Sequence, residues 1–380
     1  MKEQLSKDIY PILYIVFFTI AILFSALINS LILKFSTNLG MRNATNTGQI
    51  RWGSSSKPSL GGFSFYIVFL ISIAMLGVFP SDDDSVFNKQ LIGLLAASSL
   101  GFLLGLADDA YNTNPLVKFI GQFTCANLLI TTGYTIHVSP IIELNYFITV
   151  LWVIGLMNSI NMLDNMDGIT ASTSASILLG GVVLIISDKG IDNFYLIVIL
   201  GVLGALIGFL LFNWHPSKMY MGDTGSQFLG VFLAGISILF FWDYRQDNVS
   251  IIDFRQFLFP MLLFIVPLVD TATVFIRRLA KKQSPFVGGK DHTTHHLAYL
   301  GLSDRQVATV LLMLSLISVG FVYYLHRHFD NWENIYTIIG FAYFITVFVV
   351  MQILYNLGKK QAEAKKLLET TNKDEAVSES

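Results

Sequence analysis

NFYLIVILGVLGALIGFLLF, residues 193–212, runs for twenty residues without a charged side chain. Wound as a helix at ~1.5 Å per residue it is about 30 Å long, which matches the hydrocarbon thickness of a bilayer. The run is one of many. Comparable apolar stretches lie at about 10–33, 60–79, 91–107, 116–132, 144–160, 172–187, 225–241, 256–276, 306–325 and 335–357, with ends good to roughly two to four residues. Of the 380 residues 53% are hydrophobic and only 13% charged. The charged share is about half the ~25% of a typical soluble chain, too little to dress a water-facing surface.

A chain buried in lipid must satisfy its own backbone, so the spans are expected to be helices. The short alternating segments of a β-barrel are absent. The expected fold is therefore all-α: a polytopic membrane domain over residues 1–358 with about eleven transmembrane helices, then a polar tail over 359–380. The tail is expected to begin as a frayed helix and end disordered. The first span is too long for a signal-peptide core and lacks a clean cleavage site. No internal repeat is visible. The single cysteine, Cys125, sits in a span and builds no disulfide framework. A net charge of −2 offers nothing to nucleic acid, and no such partner is expected.

Eleven spans put the termini on opposite sides. One set of connections, which includes the C-terminal tail, carries 17 of the Lys and Arg residues, and the other carries 7. The positive-inside bias then puts the first set in the cytoplasm and the N-terminus outside. The outer set contains the acidic run SDDDS, residues 81–85, a solvated turn. Every chemically interesting motif falls in the cytoplasmic set, which points to one site on one face.

In LADDAYNTNPLVKFIGQ, residues 106–122, Asp108 and Asp109 close one span, and Lys118 and Gln122 open the next. Adjacent carboxylates at the edge of a low-dielectric region need a positive neighbour, either a divalent cation or Lys118. The alternative is an acidic loop with Asn and Pro as turn formers. NSINMLDNMDGIT, residues 158–170, places Asn158, Asn161, Asp164 and Asp167 three apart, one row of oxygen groups on a helical face. Carboxylates and amide carbonyls suit hard divalent cations; the bland reading is a cluster of helix caps. FNWHPSKMYMGDTGSQFLG, residues 212–230, sets Asp223 between Gly222 and Gly225, with Ser226 ahead of an apolar span. Small residues before a helix let a phosphate approach its N-terminus, with Asp223 holding a bridging metal. Asn213 and Lys218 lie in the same connection.

RRLAKKQSPFVGGKDHTTHHLAYLGLS, residues 277–303, supplies Arg277, Arg278, Lys281, Lys282 and Lys290, then His292, His295 and His296. Without a nearby Cys, zinc is not the expected ligand. The histidines beside Asp291 suit a phosphorylated, hydroxyl-rich substrate better. KPSLGGF, residues 57–63, adds Lys57 before a Pro and paired glycines. Asp270, inside a span, is a functional candidate by default but equally suited to pairing with a neighbouring helix.

Taken in order, KPSLGG, the DD pair with Lys and Gln downstream, NSINMLDNMDG, NWHPSKMYMGDTGS, and PLVDTATVFIRRL leading to SPFVGGKDHTTHHL resemble the polyprenyl-phosphate N-acetylhexosamine-1-phosphate transferase family. That family includes the phospho-N-acetylmuramoyl-pentapeptide transferases. The resemblance covers residues 50–300. It implies an enzyme dependent on Mg2+, or on Mn2+ in its place, with its active site on the cytoplasmic face of the inner (plasma) membrane. By position it implies catalytic roles for Asp108, Asp109, Lys118, Asp164 and Asp167, and metal binding at Asp223 and Asn161. Substrate contacts would fall to Asn213, Lys57, Arg277, Arg278, His292, His295 and His296. Asn165 stands where many members have Gly, and Thr293 stands where the first histidine of H-x-H-H falls.

The implied reaction moves N-acetylhexosamine 1-phosphate, GlcNAc 1-phosphate in the favoured branch, from a UDP-sugar to polyprenyl (undecaprenyl) phosphate and releases UMP. It would open a cell-envelope polysaccharide. The implied partners are these two substrates, the membrane and a second copy of the chain in a homodimer. The alternatives are the pentapeptide branch of peptidoglycan synthesis and, from another class, an ion-coupled transporter. Transporters gather ionisable groups near the bilayer midplane, whereas these acids lie mainly at span ends.

Overall fold

Each apolar run falls on a helix or, for 256–276, on a bent pair of helices, and no strand occurs among the described residues. The computed structural model describes residues 2–36, 57–76, 88–190, 193–242, 253–283 and 291–378. The acidic run at 81–85 and Lys290 lie outside the described residues. The helices are α1 (Lys2–Ser36), α2 (Gly62–Met75), α3 (Lys89–Tyr111), α4 (Pro115–Thr131), α5 (Ile142–Leu163), α6 (Ile169–Lys189) and α7 (Tyr195–Asn213). They continue with α8 (Gly222–Ser237), α9 (Leu258–Leu263), α10 (Ile265–Ala280), α11 (Thr293–Tyr299), α12 (Asp304–Arg327) and α13 (Asn334–Ser378).

Among the described residues eight helices are long and apolar enough to cross a bilayer alone, or nine if the bent pair is one span. The expected eleven included α2 and α4, which are 14 and 17 residues long. At ~1.5 Å per residue both fall short of a ~30 Å core. The bent pair turns through 91° between Leu263 and Ile265. Pro267, third in α10, has no N–H to offer the Leu263 carbonyl, so no straight helix runs through the break. The tail departs from expectation: α13 continues unbroken from the apolar span to Ser378. Its tail segment is rich in Lys, Gln, Ala, Glu and Leu, all good helix formers, and Lys359 pairs with Glu363 one turn on.

Helix α8 is the hub. Of its apolar window, extended by a π-type turn to Trp242, 94% is buried, against 11% for α13. It packs against α2, α3 and α5, and glycines set how closely they approach. A methyl at Gly62 would lie 2.3 Å from the Gly225 nitrogen, and one at Gly105 would lie 2.2 Å from the Asp223 carbonyl oxygen. Backbone-to-backbone contact of this kind is how small residues join helices where lipid supplies no hydrophobic drive. Gly105 and Gly62 therefore seat the first turn of α8 between α3 and α2.

Candidate active site

Four helix ends meet at one end of the bundle: the C-termini of α3 and α5 and the N-termini of α4 and α8. Local signals stop each helix there. Asn112 adopts a left-handed conformation (φ 51°) and closes α3, while Asn114 caps α4 through the Leu116 N–H, with Pro115 in its first turn. This brings Asp108, Asp109, Lys118, Asn161 and Asp223 together.

Asp108 is buried and accepts from Lys118 Nζ at 2.6 Å, from the Thr113 hydroxyl at 2.6 Å and from the Thr113 N–H at 2.9 Å. Its carboxyl also faces that of Asp223 at hydrogen-bonding range. Asn161 donates to Asp223 and, at 2.8 Å, to Ser226 Oγ. Two carboxyls in contact at the edge of a low-dielectric bundle need a proton or a cation between them. Lys118 supplies one positive charge, and it leans on Asp108. Among the described residues no group of three or more His, Cys, Asp or Glu forms a metal cage. A site of one or two carboxylates plus an amide oxygen suits instead a hard cation that draws its other ligands from water and phosphate.

Asp109 does something else. It accepts from the Asp223 N–H at 3.1 Å and from the Thr224 N–H and hydroxyl at 2.8 and 2.6 Å, so it caps α8 from another helix. The phosphate expected at this N-terminus is therefore replaced, at its first donors, by a carboxylate of the chain itself. This is also why Gly222 is needed: it holds φ +73°, and a methyl there would lie 2.8 Å from Asp109 Oδ2.

The row expected from Asn158 to Asp167 does not stay together, because α5 stops at Leu163 and Gly168 turns the chain with φ +76°. Asn158 points to Gln122 and Asn161 to Asp223. Asp164 is half-buried at the end of α5. Asp167 turns to the 213–221 connection, accepting from the Ser217 N–H and hydroxyl at 2.9 and 2.7 Å and lying 3.0 Å from His215 Nδ1. Lys57 joins this group, donating to Ser217 Oγ at 2.9 Å and standing 3.9 Å from Asp167. Asn213 uses both ends of its amide on backbone, accepting from the Gly168 N–H and donating to the Met219 carbonyl. Pro58 and Gly61–Gly62 pair with Tyr220 and Met221 through backbone hydrogen bonds, which anchors KPSLGG beside the connection.

The histidine segment lies across α10 and α13. Asp270 is 3% exposed and holds His292 Nδ1 at 2.8 Å while accepting the Thr293 N–H at 2.8 Å. The acid left unassigned from sequence thus fixes His292 and starts α11. Asp291 receives a two-pronged ion pair from Arg278. Burial would raise the Asp291 carboxyl, but the Arg278 guanidinium outweighs it and holds the group below its usual range. Arg277 stacks on Tyr355 at 3.7 Å and donates to Gln352, both on α13. His296 stacks on the same Tyr355 at 3.7 Å, and burial, helped by Arg277, pushes its pKa down to about 4. His295 is buried beside His292. Thr294 donates to Asn165 Oδ1 at 2.8 Å and ties this segment to the end of α5. Sequence reasoning singled out neither Ser217 and His215 nor Thr113 and Thr224. Each lay inside a quoted motif, but a hydroxyl that serves a carboxylate has no spacing of its own to betray it.

The profile described as "Glycosyl transferase family 4" matches residues 91–241, the segment from α3 to α8 that carries Asp108, Lys118, Asn161 and Asp223. The phospho-N-acetylmuramoyl-pentapeptide-transferase of Oceanobacillus iheyensis is 31% identical over 322 residues, 78% of this chain and 93% of that protein. The chain belongs to this transferase family. A Bacillus subtilis member, named "Probable undecaprenyl-phosphate N-acetylglucosaminyl 1-phosphate transferase", is 27% identical over 80% of this chain and 82% of its own length. The decaprenyl-phosphate N-acetylglucosaminephosphotransferase of Mycolicibacterium smegmatis is 29% identical over 69% of this chain and 70% of its own. Membership in the family sets the transporter alternative aside. Lys57 and the histidine segment lie outside the profile match.

Proposed function

We propose that this chain transfers N-acetylhexosamine 1-phosphate, with GlcNAc 1-phosphate favoured, from a UDP-sugar to polyprenyl phosphate and releases UMP. The observation that carries the reading is the meeting of Asp108, Lys118, Asn161 and Asp223 at one end of the bundle. An oxygen of the lipid phosphate attacks the sugar-bearing phosphorus. A new P–O bond forms there as the bond to UMP breaks, and UMP leaves with the electron pair. Such transfers depend on positioning and charge neutralisation. The attacking phosphate monoester, with a second pKa of ~6, is mostly dianionic at neutral pH, so no strong base is demanded.

Lys118 presents its ammonium to phosphate while Asp108 fixes its direction. Asp223 and Asn161 are the residues that would hold Mg2+, or Mn2+ in its place. The ion, when bound, neutralises charge on the pyrophosphate. Asp109 holds the first turn of α8 and so sets where Asp223 stands. Asp164, half-buried at the end of α5, is the acid assigned to take the last proton from the acceptor phosphate.

The finer topology belongs to the same proposal: eleven spans, with α2 and α4 crossing as short helices met by local thinning of the bilayer, the N-terminus outside, and the site on the cytoplasmic face of the plasma membrane. It is supported by the 17-to-7 division of Lys and Arg. It is supported also by the alternation of helix ends, two C-termini against two N-termini, around the site. A homodimer belongs to the same proposal, and the mass of the detergent-solubilised protein tests it.

One observation favours a second reading, the 31% identity to a pentapeptide transferase. A single assay separates them. Purified protein in detergent is given undecaprenyl phosphate, Mg2+ and a panel of UDP-sugars, and UMP is measured. Release with UDP-GlcNAc is the expected result. Release with only the UDP-muramoyl-pentapeptide donor transfers the chain to the other branch, and no release with any donor refutes the enzyme reading. Because one pyrophosphate replaces another, labelled UMP is also expected to exchange back into UDP-sugar in the presence of lipid product.

A further inference from the structure

One helical turn below the carboxylate end, deeper in the bundle, lies a layer of three amides. Gln122 follows Lys118 by four residues on α4, and Gln227 follows Asp223 by four on α8. Asn158 precedes Asn161 by three on α5. At these intervals each amide shares a helix face with one of the site residues. The three are joined to one another. Asn158 Nδ2 donates to Gln122 Oε1 at 2.9 Å, and Gln122 Nε2 donates to Gln227 Oε1 at 3.1 Å and to Asn158 Oδ1 at 3.3 Å. Gln122 is 1% exposed and Gln227 fully buried.

Adhesion alone does not account for such a layer. Leucine or methionine at these positions would pack the helices without desolvating any polar group. Interhelical amide bonds within membranes are individually weak, because the separated helices find other partners. Gln227 Nε2 has no hydrogen-bond partner among the described residues, so the layer is not built for the greatest stability. What hydrogen bonds supply and apolar packing does not is register, since a two-way Gln–Asn bond closes at one height and one rotation of each helix. Register matters at this level. Lys118 meets Asp108 of α3, Asn161 of α5 meets Asp223 of α8, and the amides bond α4 to both α5 and α8.

We propose that Gln122, Asn158 and Gln227 are positioning residues that lock α4, α5 and α8 in the register that brings Lys118 to the Asp108–Asp223–Asn161 group. None of the three touches substrate, and all act through the residue one turn above. The inference rests on the proposed transferase reaction for its assay.

The test is the triple variant Gln122→Met/Asn158→Leu/Gln227→Met. It removes all partners together and so strands no buried donor or acceptor. Thermal unfolding in detergent reads the fold, and UMP release reads kcat and KM for the UDP-sugar. The expected result is an unfolding temperature within a few degrees of wild type with kcat reduced about tenfold or more, as a misplacement near 1 Å produces. KM stays within about twofold, because the donor is bound by groups the variant leaves in place. A purely structural layer gives the opposite pattern, with kcat unchanged once the protein is folded, and that result overturns the proposal. If the triple variant does not fold, Gln227→Met decides. It breaks one bond of the layer and should show the same split at about threefold in kcat, and unchanged kcat overturns the proposal. Wild-type protein that releases no UMP overturns the transferase reading and this inference together. Active wild type with unaltered variants overturns the inference alone.

Discussion

The carboxylate end and the histidine segment are both acidic, buried and close to helix termini, yet they balance charge in opposite ways. In the histidine segment each acid is matched: Asp270 with His292, Asp291 with Arg278. At the carboxylate end Asp108 and Asp223 face each other, and a single Lys118, bonded directly to Asp108, is the positive charge that acts on both. In the first region each acid already has its partner within the chain. In the proposed reaction the second is completed by the divalent cation that arrives with substrate. A folded chain keeps an imbalance of that kind where it acts and closes its accounts elsewhere.

The sharpest way to break this contrast is to neutralise the unmatched side. Asp223→Asn is expected to reduce UMP release at least about a hundredfold, in the range of losing a preorganised transition-state contact, while thermal unfolding changes little. Its dependence on added Mg2+ should also weaken. Asp164→Asn is expected to abolish turnover with the fold intact. Near-wild-type turnover in either variant removes that residue from the chemistry.

The matched side should respond in stability instead. Asp270→Asn breaks a buried pair and is expected to cost about 3 kcal/mol, the usual penalty for stranding one partner, seen as a lower unfolding temperature before any specific change in KM. A smaller effect comes from geometry. Gly105→Ala drives a methyl toward the Asp223 carbonyl and should destabilise by about 1–3 kcal/mol through overpacking. The displaced Asp223 should lower kcat with it, which separates this change from Asp270→Asn.

The smallest effect is one of pH. His296 has an ordinary value of 6.5 and a folded value of about 4, so the unfolded chain binds more protons between those limits. Stability therefore falls as pH drops from about 6.5 toward 4 and is insensitive to this group above that window. His296→Phe keeps the stack on Tyr355 and should flatten that part of the unfolding curve.

How much was legible follows from the same contrast. The spans were readable because lipid demands long apolar helices, and the site motifs were readable because carboxylates at span ends are conspicuous. Partner choice was not. Asp108 and Asp109 are neighbours of the same type, yet one turns to Lys118 and the other caps α8, a division made by helix α8 more than a hundred residues away. The three-residue register of Asn158 to Asp167 suggested one face, but Gly168 breaks it. The shortfall of α2 and α4 was hidden because hydropathy reports composition and not where a helix ends. The full extent of the helical tail was hidden because its charges mask the helix-forming character of the same residues.

The cap that Asp109 places on α8 also sets a timetable. Its partners on α8, the N–H groups of Asp223 and Thr224, follow it by 114 and 115 residues. At roughly 5–20 residues per second of synthesis, Asp109 waits on the order of 6–23 seconds before those donors have been made. During that interval α4 to α7 are made and inserted around a carboxylate whose mates on α8 do not yet exist. The transferase site is thus closed from its far end, and a nascent chain halted before residue 222 holds Asp108, Asp109 and the glycine seat but not the α8 donors that divide the roles of the two aspartates.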